Sequence, residues 1–195
     1  SCRPVRCRRV TDARHVELVA CAAPLVNRVG EFAAVVAQAG WIPSITLSLN
    51  ARSWIDESTI KELSQELKQP RSPGESKRSA RPDAVVLIPG TFNTLNKLRA
   101  GISDTPALGV LNDALGAGVP LLVVPMVNTR LAGHPAWHAT LKELRDQGVT
   151  FLDPTPGNRG SLIPLESGTG VDVASQFDPF RLSAWLQSLT STPEA

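Results

Sequence analysis

Short apolar runs alternate with stretches of helical period along most of the chain. The apolar runs predict buried strands over five ranges, 16–22, 41–49, 83–89, 121–125 and 149–152. The run at 83–89 is rich in β-branched residues and is typical of a strand that is buried on both faces of a parallel sheet. Since strands and helices alternate, we expect one α/β domain with a doubly wound, mainly parallel sheet and helices on both faces.

The sequence also marks where the helices between these strands end. The first helix should end at Gly40, and the glycines at 116–118 should end the helix that carries Leu108, Leu111 and Leu115 on one face. Three more helices are predicted: a short one capped by Asn50 that runs through Trp54, one over 135–147 and an amphipathic one over 179–189. The many Pro and Gly residues of 153–179 predict loops in that range.

The positive charge of the chain is concentrated at its start. Five of the first fourteen residues are arginines and one is an aspartate, so this segment carries +4 and the remainder −2 of a net charge of +2. No hydrophobic period runs through residues 1–14, so we expect a disordered basic arm there and one folded domain over 15–195. A nearly neutral domain with 5% aromatic residues lacks the basic stripe and the stacking side chains of a nucleic-acid binder.

Membrane, secretory and metal-binding classes are disfavoured as well. The longest apolar run, 120–127, is far shorter than the roughly 18 to 20 residues of a membrane span. Glu17 interrupts the apolar stretch after the arginines, which argues against a secretory signal and favours a cytoplasmic protein. The three cysteines show no zinc spacing, and His134 and His138 have no carboxylate or cysteine nearby, so no metal site is expected.

Small polar residues follow two of the predicted strands. The third strand runs into 89–97 (PGTFNTLNK), and the fourth into 125–129 (PMVNT). Ligands of doubly wound sheets bind outside the carboxyl ends of the strands, where such turns lie. Backbone amides with hydroxyl and amide side chains form a neutral cradle for phosphate and for the edge of a flat heterocycle. The plainer alternative is that Thr91 and Asn93 only cap a helix.

The two turns together resemble the signatures of the homo-oligomeric flavin-containing cysteine decarboxylases. That family has a Pro-Ala-Ser-Ala-Asn-Thr turn, similar to 89–94 (PGTFNT), and a later Pro-Ala-Met-Asn turn, similar to 125–128 (PMVN). Residues 101–105 also resemble its Gly-Ile-Ala-Asp-Asn-Leu segment, and the resemblance covers about residues 15–153. It implies a Rossmann-like or flavodoxin-like fold, FMN or alternatively FAD as cofactor, and a trimer or dodecamer whose flavin lies where subunits meet.

Carried over by position, the resemblance implies roles for particular residues. Thr91, Asn93 and Thr94 would hold the phosphate, ribityl chain or ring edge of the flavin, Ser48 would lie beside it and Asp104 close to it. Asn128 would meet the carboxylate of the substrate cysteine. The family's Gly-Ser turn after the first strand is replaced here by 21–24 (CAAP), which leaves phosphate contacts at that turn to the backbone.

The chain departs from the family at its histidine. The family's decarboxylases carry an active-site histidine before the third strand, whereas residues 56–88 contain none. His134 lies just past the Asn128 turn and is a candidate for a replacement catalytic role. The alternative is that His134 only starts a helix and that His138 is solvated.

Two polar segments each leave two interpretations open. The basic segment 68–81 is either a solvated surface loop or a loop that approaches the flavin phosphate of a neighbouring subunit or an acidic peptide. The segment 155–170 is either a flexible connector or, as the resemblance implies by position, a loop that covers the substrate of the peptide-modifying members.

The activity that the resemblance implies is that of a flavin-dependent cysteine decarboxylase, a lyase with an oxidative step. Its substrate would be a ribosomally made precursor peptide that ends in cysteine, and its product an enethiol. The loop after residue 153 and the lack of a fused ligase domain in these residues favour a peptide over phosphopantothenoylcysteine. The missing histidine raises an alternative: a flavin-binding family member without decarboxylase activity that acts as a partner in peptide maturation. A flavin prenyltransferase shares the fold, but its Ser-rich first turn and basic phosphate-binding residues have no counterpart that we can place.

Overall fold

Five parallel strands form the centre of the protein, whose structure is a computed structural model that describes residues 14–55, 81–158 and 161–191. The strands are β1 (Arg14–Ala20), β2 (Trp41–Leu47), β3 (Ala84–Gly90), β4 (Leu121–Pro125) and β5 (Thr150–Phe151). They are arranged in the order β2-β1-β3-β4-β5, and every neighbouring pair is parallel. The chain therefore leaves β1 in one direction for β2 and returns to its other side for β3. This reversal creates the crevice at which sheets of this kind bind ligands.

Helices cover both faces of the sheet, as the alternating pattern predicts. They are α1 (Val29–Gln38), α2 (Phe92–Arg99), α3 (Pro106–Gly116), α4 (Thr129–Ala132), α5 (Pro135–Asp146), α6 (Gly170–Gln176) and α7 (Phe180–Ser188). Short 3-10 turns occupy Pro24–Arg28 and Leu49–Trp54. Gly40 and Gly148 follow α1 and α5 with φ of +85° and +88°, a conformation that glycine adopts without a steric penalty, so both predicted helix ends are confirmed.

The core consists of two apolar layers separated by the sheet. Val86 and Ile88 of β3 join the layer under α1 and α7, whereas Val85 and Leu87 join the layer under α2, α3 and α5. All seven residues of β3 are buried, which confirms the prediction of a strand covered on both faces. Among the described residues, no helix is long and apolar enough to cross a membrane.

Glu17 is a carboxylate in the middle of this apolar sheet. Its side chain is fully buried, and it accepts hydrogen bonds from Ser44 Oγ at 2.5 Å and Thr46 Oγ1 at 2.6 Å on β2. Because a buried charge is costly unless polar groups surround it, the hydroxyls of β2 explain how this residue is accommodated in the strand.

Several predicted boundaries are wrong by a few residues. β1 begins at Arg14, so the predicted disordered arm is wrong for that residue, and its other residues, 1–13, lie outside the described part. Residues 68–80 of the predicted basic loop lie outside it as well. The cap after β2 is Ser48 rather than Asn50, since Ser48 Oγ accepts from Ala51 N at 3.3 Å. The predicted shared face of Leu108, Leu111 and Leu115 is confirmed, since the first two lie in the core and Leu115, partly buried, packs against the same cluster.

Helix α6 lies in a range for which the composition predicts only loops. It has one buried residue, Ala174, so it shows little hydrophobic period. Arg28 fixes its end: Nη1 donates to the carbonyl oxygens of Ala174 at 2.6 Å and Phe177 at 2.8 Å. A long-range cationic contact of this kind is not encoded in the local sequence pattern.

We expect Arg28→Ala to lower the free energy of unfolding by about 2 kcal/mol, because hydrogen bonds from a charged donor contribute about 1.5–3 kcal/mol. The ion pair of Arg28 with Glu31, at 2.7 Å, is partly exposed and contributes little. Glu31→Gln is therefore the matched control and should cost less than about 1 kcal/mol. Urea unfolding measures both values, and equal losses in the two variants would contradict the role of the carbonyl contacts.

Candidate functional site

Three strands deliver polar side chains to one point at their carboxyl ends. Cys21 follows β1, Ser48 follows β2, and Thr91 and Thr94 follow β3. The backbone aligns the first two turns, since Cys21 N donates to Pro89 O at 3.1 Å and Ser48 N donates to Ala20 O at 2.9 Å. We call Cys21, Ser48, Thr91 and Thr94 the hydroxyl-thiol cluster.

Side-chain contacts hold this cluster together. Thr94 Oγ1 lies 3.2 Å from Cys21 Sγ and 3.0 Å from Thr91 Oγ1. Thr91 is the N-cap of α2, and its hydroxyl accepts from Thr94 N at 3.4 Å. The capping interpretation of Thr91 is thus confirmed. The same residues also form a polar surface at the crevice between β1 and β3, so capping and ligand binding do not exclude each other.

Cys21 is a member of the cluster that the sequence interpretation left out. The residue is 2% exposed, and this burial raises the pKa of its thiol. Hydrogen bonds from the Thr94 side chain, the Thr91 backbone, and the Ser48 and Thr91 side chains lower the pKa again in part. The thiol is therefore neutral at physiological pH and acts as a weak hydrogen-bonding group. Its position directly after the first strand is the signal by which it could have been found.

The raised pKa of Cys21 predicts a loss of stability at alkaline pH. Below the ordinary value of 9.0 the thiol is protonated in both the folded and the unfolded chain. Above it the unfolded chain releases the proton first, so unfolding becomes more favourable by up to about 1.4 kcal/mol per pH unit until the folded thiol also titrates. Urea unfolding at about pH 8 and about pH 10 should show a larger loss for the native protein than for Cys21→Ser. Identical losses would contradict the pKa shift.

Asn93 lies between the two threonines of the cluster. It is exposed, and its amide forms no hydrogen bond with any residue that the structure describes. An amide group supplies two N–H donors and one acceptor oxygen. Asn93 is therefore free to contact a ligand at this turn.

Asp104 lies farther along the chain, in the connection between α2 and α3. Its carboxylate is exposed and accepts from Lys97 Nζ at 2.5 Å. Among the described residues, no hydrogen bond joins Asp104 to the hydroxyl-thiol cluster. Asp104 is thus placed in a surface ion pair, and its role toward a flavin remains a prediction.

The turn after β4 lies beside the turn after β3. Met126 N donates to Gly90 O at 2.8 Å, which joins the two turns through the backbone. Asn128 is the N-cap of α4, and its Oδ1 accepts from Leu131 N at 2.9 Å. Because this bond occupies the oxygen, the amide nitrogen Nδ2 remains available as a donor.

A segment from late in the chain crosses this second turn. Leu165 N donates to Val127 O and Thr129 N donates to Leu165 O, both at 2.9 Å, so Leu165 pairs with Asn128 as an isolated parallel bridge. A Cβ at Gly170 would lie 3.2 Å from Pro24 Cγ, which shows how closely this segment packs against the turn after β1. We call residues 163–170 the strap. They lie within 155–170, the range for which the sequence leaves open a flexible connector or a loop that covers the substrate.

The strap is anchored at its beginning by Asp153 and Arg181. The buried carboxylate of Asp153 accepts from the backbone nitrogens of Thr155, at 2.7 Å, and Ile163. Arg181 donates to Asp153 O at 2.8 Å and to Asn158 O at 3.1 Å. These contacts place the strap across the open ends of the strands.

His134 begins α5, as one of the two interpretations of this residue predicts. It is the N-cap, and its Nδ1 accepts from Ala136 N at 3.1 Å. Since Nδ1 is an acceptor, the proton of the neutral ring lies on Nε2, which is then a donor. The ring also contacts Phe92 edge to face, with centroids 5.7 Å apart, so the histidine lies against the first residue of α2. His138, one turn later, is exposed.

The donor set of the site fits a flavin. Hydroxyls and an open amide at 48, 91, 93 and 94 can donate to phosphate and ring carbonyl oxygens, and they can accept from ribityl hydroxyls. They lie at the crevice where the strand order reverses, which is the general ligand site of such sheets. Thr91, Thr94 and Ser48 are brought together there, while Asn128 and His134 lie at the adjoining turn.

Comparison with characterised proteins gives relatives that match over a short segment of the chain. The coenzyme A biosynthesis bifunctional protein CoaBC of Thermococcus kodakarensis is 33% identical over 81 residues, which are 42% of this chain and 19% of that protein. The matched segment thus spans about a fifth of the length of the curated relative.

Solved structures match over most of the chain at low identity. The FMN binding protein AtHal3 has a TM-score of 0.69 at 16% identity and covers 93% of this chain and 100% of its own. The epidermin biosynthesis protein EpiD of Staphylococcus aureus, also described as a peptidyl-cysteine decarboxylase, has a TM-score of 0.65 at 18% identity over 88% of this chain and 99% of its own. AnUbiX in complex with FMN and dimethylallyl pyrophosphate has a TM-score of 0.70 at 14% identity and covers 90% of this chain and 93% of its own. These likenesses confirm the doubly wound fold.

A family model shows the family to which the chain belongs. The model named Flavoprotein matches residues 16–171, a range that contains the hydroxyl-thiol cluster, the Asn128 turn and the strap. The chain belongs to the Flavoprotein family.

Proposed function

We propose that this protein binds FMN at the hydroxyl-thiol cluster and catalyses the oxidative decarboxylation of a C-terminal cysteine on a ribosomally made peptide. Membership of the Flavoprotein family supports a flavin, and two matching structures are described as containing or binding FMN. A matching structure described as a peptidyl-cysteine decarboxylase supports the reaction. The observation that carries the proposal is that the Asn128 turn adjoins the cluster through Met126 N and Gly90 O.

The residues of the cluster would bind and orient the cofactor. Thr91, Asn93 and Thr94 would donate to its phosphate and ring oxygens, with Ser48 beside it at the end of β2 and Asp104 nearby. When bound, FMN supplies an acceptor for two electrons and a proton from the cysteine side chain. The thiol also releases its proton, so the oxidised side chain would be a thioaldehyde. The electron pair of the breaking bond to the carboxyl carbon would flow into it, carbon dioxide would leave, and the resulting enethiolate would take up a proton to give the enethiol.

Asn128 would hold the carboxylate that is lost. Its Oδ1 is fixed by Leu131 N, so Nδ2 is the atom that can donate to the anion. His134 would contribute through Nε2 as a donor rather than as a base, because Nδ1 caps α5. The strap lies against Asn128 and would restrict water and fix the approach of an extended peptide, which favours a peptide over a small thiol.

Purified protein and synthetic peptides test this proposal. We expect a yellow protein that releases FMN, and peptides ending in cysteine should lose one carbon dioxide and two hydrogens by mass spectrometry. The same peptide with a C-terminal amide is the matched control and should stay unchanged, because it has no carboxylate to lose. Bound flavin without mass loss in any cysteine-ending peptide would reject the reaction.

The alternative is a flavin-binding family member that acts as a partner in peptide maturation without decarboxylase activity. The absence of histidine from residues 56–88 favours it, as does the engagement of His134 Nδ1 in a helix cap. Under this alternative, flavin is bound stoichiometrically and stays oxidised when any cysteine-ending peptide is added without oxygen. Bleaching of the flavin absorbance by such a peptide would exclude the alternative.

The proposal includes a homo-oligomer, a trimer or a dodecamer, in the cytoplasm. The 3-10 turn after Ser48 leaves two large apolar side chains exposed, Leu49 at 63% and Trp54 at 47%. A neighbouring subunit that covered them would lie next to the hydroxyl-thiol cluster. Size-exclusion chromatography with light scattering measures this directly, and a clean monomer at micromolar concentration would contradict it.

A further inference from the structure

The segment from Asn128 to His134 presents hydrogen-bond donors and one cation but no open acceptor side chain other than the hydroxyl of Thr129. Asn128 Oδ1 and His134 Nδ1 are both occupied by backbone amides, at 2.9 Å and 3.1 Å. What remains open is Nδ2 of Asn128, Nε2 of His134 and the guanidinium of Arg130, which has only donors. A surface of this composition favours an anion.

Arg130 is the cation of this segment, and no carboxylate of the described residues pairs with it. Four other cations of the described ranges have carboxylate partners, in the pairs Arg28–Glu31, Lys97–Asp104, Arg99–Glu143 and Lys142–Asp146. Arg130 is exposed and forms no ion pair or hydrogen bond with any residue among 14–55, 81–158 and 161–191. Glu166 of the strap follows the residue that pairs with Asn128, yet it is also exposed and makes no ion pair within these ranges.

The helix that carries Arg130 does not account for its charge. Arg130 is the second residue of α4, whose four residues make a single turn, so Arg130 lies in the first and the last turn at once. The partial charges of the two helix ends therefore favour neither sign at this position. Neither the helix nor a described partner explains the open guanidinium.

The strap leaves the residues that follow Asn128 exposed. Its backbone bonds from Leu165 engage Val127 and Thr129. Arg130, Leu131 and His134 are exposed. An exposed guanidinium thus lies two residues from the amide of Asn128.

We propose that Arg130 is a specificity-determining residue that binds the terminal carboxylate of the peptide together with Asn128. This inference rests on the proposed function and adds to it the requirement for a free carboxylate at the chain end. Arg130 acts in capture rather than in chemistry, because an ion pair stabilises the carboxylate before its bond to carbon breaks and does nothing to speed that step. Loss of the guanidinium should raise KM and leave kcat unchanged or higher.

The experiment compares binding and turnover in Arg130→Gln, Arg130→Lys and the FMN-loaded native protein. Binding uses an unreactive peptide that ends in serine, offered as the free acid and as the amide. We expect the native protein to prefer the acid by about tenfold, as a charge-assisted hydrogen bond predicts. Arg130→Gln should reduce this preference to the part that Asn128 Nδ2 supports alone, and Arg130→Lys should keep more of it than Arg130→Gln. For the cysteine peptide, Arg130→Gln should raise KM by a similar factor.

Arg145→Gln is the matched control, because it removes one positive charge near the end of α5, where Arg145 stacks on Phe151. Its preference for the acid should equal that of the native protein. If Arg130→Gln keeps the preference, or lowers kcat with KM unchanged, the inference is wrong while the proposed function stands. If the native protein neither decarboxylates the cysteine peptide nor prefers the acid, the proposed function itself fails.

Discussion

Replacing Asn93 by alanine is expected to weaken FMN binding by about 10- to 150-fold, which corresponds to the 1.5–3 kcal/mol of a hydrogen bond to a charged group. The stability of the protein without cofactor should stay the same. The reason is that the amide of Asn93 is exposed and bonds to no described residue, so the variant removes nothing from the fold. Equilibrium titration with FMN, followed by flavin fluorescence, measures the first quantity, and urea unfolding of the apoprotein measures the second.

Asn112→Ala is the matched control for this experiment. Asn112 Nδ2 donates to the carbonyl oxygens of Ile102 and Leu108, both at 2.9 Å, so its loss should lower stability while FMN affinity is retained. Asn93→Ala should therefore lower FMN affinity and leave stability unchanged, whereas Asn112→Ala should lower stability and leave FMN affinity unchanged. Unchanged FMN affinity in Asn93→Ala would remove Asn93 from the cofactor site.

Much of the fold follows from local sequence, because buried parallel strands need continuous apolar runs. Each of the five predicted runs became a strand, although β5 has only two residues. The candidate turns were identifiable for the same reason, since Thr91 and Asn128 directly follow the apolar runs of β3 and β4. The 3-10 turn after β2 is short and has no clear hydrophobic period, and here the predicted cap, Asn50, lies two residues after the observed cap, Ser48. Ser and Asn are equally good caps, so composition alone does not distinguish them.

The contacts that complete the site join residues far apart in the chain. Cys21 and Thr94 are separated by 73 positions, and the strap residue Leu165 pairs with Asn128 from a range predicted to be loops. Such contacts depend on the strand order rather than on any local pattern. Asp104 shows that a position within a family motif does not by itself place a side chain in the site. It lies in a segment that resembles one of the family, but in the structure its carboxylate pairs with Lys97 at the surface.

Replacement of Asn128 by aspartate should reduce kcat/KM for a cysteine-ending peptide by about 10- to 150-fold, since a donor of about 1.5–3 kcal/mol to an anion is lost. Aspartate is as good an N-cap as asparagine, so the bond from Leu131 N and the stability of α4 should be retained. The protein should stay yellow, because the residues proposed to bind the cofactor lie at the β1–β3 crevice. Steady-state turnover with mass detection and flavin occupancy per subunit measure the two effects.

Asn128→Ala separates the two functions of this side chain. It removes the cap as well as the donor, so it should lose about 1 kcal/mol of stability in addition to activity, whereas Asn128→Asp should lose activity alone. Both variants lose Nδ2. Aspartate also adds a negative charge, and alanine also removes the capping oxygen, so the missing donor is the change that the two variants share. A similar fall in turnover in the two variants would therefore assign the effect to the missing donor. Full activity in Asn128→Ala would mean that no carboxylate is bound at this turn, and the decarboxylase proposal would then fail even if the flavin site at Thr91 to Thr94 were correct.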